Sequence, residues 1–252
     1  MTYLFHVKMI SCLLILITAF VAGLYPFIKR IRTRSKQDFP IGESLAAGVF
    51  LGAGLMHMLG DASQSFDSHG FDYPMPFLLA GATFLLLLFM EHVGREIYEH
   101  RSETSIAFAV LAVIMLSIHS FLAGAALGLS STLSVVIVIL LAIMAHKWAA
   151  SFALAVQLNK SALNIGLSVI LFSLFTITTP LGILFGNIVM HHFTHYPMLA
   201  PIFKALAAGT FLYLGTLHGL KQSVMVDKCC DLKRFYFVIA GFVIMAIVAI
   251  WT

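Results

Sequence analysis

Polar residues interrupt this 252-residue chain so seldom that eight stretches of about 20 apolar residues remain between the breaks. Such stretches leave few structural options. Inside a bilayer no water satisfies the backbone, so hydrogen bonds must close within helices or within a sealed barrel. The stretches are rich in Leu, Ile, Ala, Phe and Gly and lack the alternation over about ten residues that marks a barrel strand. An all-α integral membrane protein of eight transmembrane helices is therefore expected. Its spans cover about residues 3–28, 41–60, 77–93, 105–129, 133–158, 165–188, 202–220 and 235–252, in a single transmembrane domain over 1–252. Composition agrees, since only 10% of residues are charged against roughly 25% in soluble domains.

The few charges report orientation. Of the 15 Lys and Arg, twelve fall in the four links after spans one, three, five and seven, and Lys8, Lys147 and Lys204 lie within spans. The positive-inside rule places those links in the cytoplasm and both termini outside the cytosol. The first span is too long for a cleavable leader, and its basic cluster follows the apolar run instead of preceding it. The formal charge of +4 is not gathered on one soluble face, so no nucleic-acid partner is expected. The bilayer is the expected surrounding, in a plasma or bacterial inner membrane. Asp61, Asp67, His69 and Asp72 fall in a link without Lys or Arg, over 61–76, which reads as an external loop. Another external loop carries His191, His192 and His195. Cys12, Cys229 and Cys230 form no evident disulfide framework, because a bridge between the adjacent pair is strained.

Two segments repeat. Residues 46–59 of span two and 207–220 of span seven align without gaps, with eight of fourteen positions identical, including His57 and His218. Span two runs from inside to outside and span seven in the reverse sense. An inverted repeat is a signature of secondary transporters, which expose a central site to each side in turn. Three spans precede the central pair and three follow it, giving a 3+2+3 arrangement in which spans 1–3 repeat as spans 6–8.

The central pair carries the chemistry. His119 and His146 lie on spans four and five at similar distances from the turn Ser130-Ser131-Thr132, close to the middle of the membrane. Ionisable groups at that depth are costly and point to function. Imidazole suits zinc and its first-row neighbours. Ser120, Ala123, Gly124 and Gly128 share one helix face, and Ala142, Ala149, Ala150 and Ala153 flank His146; these small residues are expected to let helices approach closely and also to leave room for an ion. The bland alternative is that each histidine only hydrogen-bonds a neighbouring helix. His57 and Asp61, one turn apart, read as an entrance to a metal path, and His218 as its exit. Glu91 reads either as a cytosolic relay or as a solvated helix end. Lys147 reads as a charge standing in for a second metal, or as an ammonium that reaches water or a carboxylate. Glu43 suits a helix N-terminus.

These residues carry a family resemblance. His119-Ser120 with Gly124 and Gly128 resembles the fourth-span motif of the ZIP (ZRT/IRT-like) metal transporters, and His146-Lys147 through Phe152 and Leu154 resembles its Lys-bearing fifth-span variant. Residues 48–51 and 57–59, Met90-Glu91, 179–183 and 208–213 are also similar to family signatures. The resemblance implies divalent metal moving toward the cytosol, with His119, Ser120 and His146 as ligands. Zinc or a related cation is then the transported substrate, with no prosthetic group. The sequence departs from the pattern at Ala123, where most members carry an acidic ligand, at Ala150, where two-metal members carry Glu, at Gly60 in place of Pro, and at His218 in place of an acid. One metal per site is the expectation. A site so poor in carboxylates should bind weakly and respond strongly to pH, because imidazole binds metal only when neutral.

The expected function is thus transport of a divalent metal, not catalysis. The alternatives are an intramembrane zinc-dependent hydrolase, which would need a general base that local spacing does not supply, and a non-transporting metal sensor. A homodimer remains open.

Overall fold

The computed structural model describes residues 2–33, 39–98, 104–192, 198–217 and 232–251. Among them there is no strand. The helices are α1 (Thr2–Thr33), α2 (Pro40–Gly52), a π-helical segment (Ala53–Leu59), α3 (Gly60–Ser68), α4 (Met75–Tyr98), α5 (Thr104–Leu129), α6 (Leu133–Lys160), α7 (Ile165–His192), α8 (Leu199–Tyr213) and α9 (Leu232–Val248). Seven helical runs among the described residues are long and apolar enough to cross a membrane. The eighth expected span corresponds to α9, whose 17 residues are a little shorter.

Local sequence explains several ends. Pro40 opens α2, where its missing N–H would have been unsatisfied in any case. Asn164 caps α7, its Oδ1 accepting the Leu167 N–H at 2.7 Å. Pro26 and Pro180 sit inside α1 and α7, as prolines do in membrane helices where neighbours compensate for the lost bond.

One expectation fails clearly. The external loop predicted over 61–76 is helical as far as Ser68, because α2, the π-helical segment and α3 form one continuous run over Pro40–Ser68. The polar composition of α3 concealed this. Its Ser65 and Ser68 hydroxyls bond back to the Asp61 and Ser65 carbonyls, so the polar side chains serve the helix. Ala62 and Phe66 supply its buried face.

Apolar side chains face outward on α1, α4 and α7, including Leu13, Val21, Leu85, Phe89, Ile170 and Leu174. Lipid is the solvent that such surfaces suit. The interior holds an apolar core that includes Met115, Leu154, Phe175 and Phe211, together with small residues and buried polar groups. The main pairings are α5 with α7, α2 with α9, α1 with α6, and α4 with α8.

Residues at equivalent repeat positions make reciprocal contacts. A Cβ at Gly54 would meet Ala208 and Leu212, while a Cβ at Gly215 would meet Ala47 and Leu51. Ala47 aligns with Ala208, and Leu51 with Leu212. The π-helical geometry also begins at one repeat position in both copies, at Ala53 and at Leu214, and covers residues 214–217 in the second.

Two cations on α1 tie it to the ends of other helices. The Lys8 ammonium donates to the Gly128 carbonyl at 2.6 Å and to Asn187 Oδ1 at 3.1 Å. Arg30 donates to the Leu163 carbonyl at 2.8 Å and the Leu158 carbonyl at 3.3 Å. Each satisfies carbonyls at or near a helix C-terminus, where positive charge is favourable.

Candidate metal site

His119 on α5 and His146 on α6 are both 2% exposed. Their ring centroids lie 5.8 Å apart, with the planes at 71°. Phe211 of α8 stacks on His119 at 3.6 Å and meets His146 edge-on at 4.9 Å. The two imidazoles therefore come together across adjacent helices, against one aromatic wall.

Hydrogen bonding sets the His119 tautomer. Its Nδ1 lies 2.8 Å from Thr210 Oγ1 and 3.3 Å from the Ala207 carbonyl. The Thr210 hydroxyl spends its own proton on that same carbonyl, at 2.6 Å. Both neighbours of Nδ1 can then only accept, so Nδ1 carries the proton and Nε2 keeps a free lone pair. A second partner that orients a metal-binding imidazole in this way is a common feature of metal sites. The ring of His146 lies toward the Ala142 carbonyl, but its buried Nδ1 makes no well-formed hydrogen bond.

Ser120 is buried beside the pair, and its Oγ accepts from the Lys147 ammonium at 3.0 Å. Lys147 also donates to Thr179 Oγ1 at 2.9 Å and stands 4.1 Å above the Phe175 ring. Among the described residues no carboxylate pairs with it. Two hydroxyls and an aromatic face hold this ammonium instead, which answers the alternative of a carboxylate partner. Cation–π attraction is strongest when the cation is shielded from water.

The small-residue face of α5 does not leave room for an ion. A Cβ at Gly124 would overlap the Thr179 carbonyl, and one at Gly128 the Ile183 carbonyl. These glycines are spent on close backbone packing with α7. Ala123, at the family's acidic position, joins an apolar cluster with Ile139, Ile143 and Ile183.

His57 lies in the π-helical segment, 3% exposed, with its Nδ1 3.4 Å from Asp61 Oδ2. That separation is an ion-pair distance, too long for a well-directed hydrogen bond, and the atom is otherwise unpartnered. Asp61 is bound to Lys204 of α8, whose Nζ stands 2.8 Å from the same oxygen. Glu91 is not a solvated helix end. It is buried, and the Tyr213 hydroxyl donates to its Oε2. Glu43 of α2 pairs with Lys160 at 2.7 Å. Among the described residues no three His, Cys, Asp or Glu side chains converge into a ready-made cage. His218, His195, Cys229 and Cys230 lie outside the described residues. Thr210, Thr179 and Phe211 took no part in the sequence-derived site. They lie in stretches similar to family signatures, 179–183 and 208–213, but what they face is set by packing between distant helices.

These features define a class: a polytopic helical membrane protein with a buried imidazole pair in its interior. The family model described as ZIP Zinc transporter matches residues 5–107 and 99–249. The chain belongs to the ZIP zinc transporter family. It is 30% identical to Zinc transporter 11 of Arabidopsis thaliana, over 98% of this chain and 86% of that protein. It is 26% identical to Zinc transporter ZIP2 of Homo sapiens, over 82% of this chain and 84% of that protein. Protein zntD of Dictyostelium discoideum is 35% identical over 62% of this chain, a match covering 23% of that protein.

Proposed function

We propose that this protein carries a divalent metal, zinc foremost, across a membrane into the cytosol, through a site formed by His119, His146 and Ser120. The observation that carries the reading is the imidazole pair with its tautomer set. Two imidazoles sharing one tetrahedral ion would place their centroids roughly 5–6 Å apart, given metal–nitrogen bonds of about 2 Å. The observed 5.8 Å fits that range, and Nε2 of His119 has its lone pair available. Relatives named as zinc transporters support zinc as the cargo. Membership of a transporter family favours transport over the hydrolase alternative. For Ser120 to serve as a ligand it must keep a lone pair beside the Lys147 bond, which a hydroxyl oxygen has. Lys147 holds positive charge where a second ion would otherwise stand, so one ion per site is the reading.

The inverted repeat supports a carrier of eight spans in a 3+2+3 arrangement. The reciprocal contacts of Gly54 and Gly215 and the shared onset of π-helical geometry both follow from two copies related by an internal two-fold axis. The asymmetry of Lys and Arg orients the Asp61 end outward and the termini with it. Metal then enters past Asp61 and His57 and leaves toward His218.

Reconstituted vesicles test the reading. Zinc entry is expected in the wild type, and His119→Ala and His146→Ala are each expected to abolish it while the protein stays folded. Entry unchanged by both substitutions would overturn the site.

A further inference from the structure

The outer end of this path is already occupied by a positive charge. Lys204 opens no new helix and caps no carbonyl; its Nζ sits 2.8 Å from Asp61 Oδ2. The same oxygen faces His57 Nδ1 at 3.4 Å, and that nitrogen is buried and has no hydrogen-bond partner. The ammonium therefore rests on the same Asp61 oxygen that faces this unpartnered imidazole nitrogen. Both partners of the pair are 18% exposed, so water and ions reach it.

The repeat gives Lys204 a counterpart. It stands three residues before the aligned segment in the second copy, and Glu43 stands three residues before it in the first. Glu43 pairs with Lys160 at 2.7 Å. Both copies thus place an ion pair at the start of the repeated helix, with the sign of the charge reversed. The Glu43 pair is the plain version, an acid on a helix N-terminus bound to a base. The Lys204 pair adjoins an imidazole, that of His57.

We propose that Lys204 is a tethered stand-in for the incoming ion. It neutralises Asp61 while the mouth is empty and is displaced when a divalent cation bridges Asp61 and His57. Any cation that enters must compete with it, so Lys204 sets the concentration at which loading begins and disfavours monovalent ions, which carry no more charge than the ammonium they would replace. The proposal rests on the reading that a divalent metal enters at the Asp61 end.

Zinc uptake into reconstituted vesicles separates this role from a structural tie. Lys204→Met is expected to lower the KM for zinc about fivefold, the size expected for a partly exposed ion pair, with the maximal rate retained. Asp61→Asn is expected to raise KM, and the double variant to behave like Asp61→Asn alone. A structural tie predicts the reverse: Lys204→Met impairs uptake and the uncharged double variant recovers, an outcome that overturns the proposal. A second measurement needs no flux. Zinc added outside is expected to increase labelling of Lys204 by a membrane-impermeant amine reagent, read by peptide mass spectrometry. Labelling that zinc leaves unchanged or lowers would overturn the proposal. Zinc-dependent labelling without zinc entry would keep the stand-in role and remove the transport reading.

Discussion

Toward α7, α5 offers Gly124 and Gly128, and the two backbones touch. Toward α8 the same helix offers His119, and the two helices meet through an imidazole, a threonine hydroxyl and a stacked ring. The first face has no slack, since any added atom collides with a carbonyl. The second is marked by the polar contacts of His119 with Thr210 and Ala207 and by its stacking on Phe211. In lipid no hydrophobic force drives helices together, so close van der Waals contact has to do it. The comparison shows α5 dividing two tasks between its faces: α7 holds the helix in place, while α8 orients the group it presents.

The largest effect should come from the close-packed face. Gly124→Val forces a side chain into the Thr179 backbone and is expected to cost about 3 kcal/mol or more. Loss of the folded protein's peak on size-exclusion chromatography and a lower Tm in detergent would show it. A variant that melts like the wild type would mean that α5 and α7 are free to separate, and the contrast between the two faces would fail.

An intermediate effect is expected on the other face. Thr210→Val keeps the shape but removes the nearer of the two acceptors beside His119 Nδ1, leaving only the Ala207 carbonyl at 3.3 Å. Zinc affinity should fall roughly 10- to 100-fold, as for other residues that orient metal-binding histidines, with Tm little changed. Thr210→Ser should restore most of the affinity. Titration calorimetry on the purified protein checks both variants, and equal binding by Val and Ser would show that the hydroxyl does not set the tautomer.

The smallest effect is expected at Lys147, which lies between the two faces and bonds to both Ser120 of α5 and Thr179 of α7. Lys147→Met removes a like charge beside the metal position without adding a ligand. Affinity should rise by about tenfold or less, and bound zinc should stay at one ion per chain. A second bound ion would show that Lys147 had been blocking a complete site, and that charge alone decides the stoichiometry.

The amino-acid pattern alone carried the class of fold, and the reason is the bilayer: long apolar runs with few charges admit only helices in lipid. It also carried the repeat, because His57 and His218 recur at one offset among shared glycines and alanines. It singled out His119 and His146, because imidazoles are rare and costly at that depth. It failed at α3, where serines and aspartates resemble a loop until Ala62 and Phe66 find a surface to cover. For the glycines of α5 it predicted the close approach of a neighbouring helix, but not that α7 fills the room expected for an ion.

Three matters belonged to tertiary structure only. The proton on His119 Nδ1 depends on Thr210, 91 positions away in the chain. The lodging of Lys147 depends on Thr179 and Phe175 of another helix. The pairing of Asp61 with Lys204 joins residues 143 positions apart. Local spacing determines which face a residue occupies, because helical geometry repeats every few residues. Which group that face meets is decided by the packing of distant helices, and there the charges and protons of this chain find their partners.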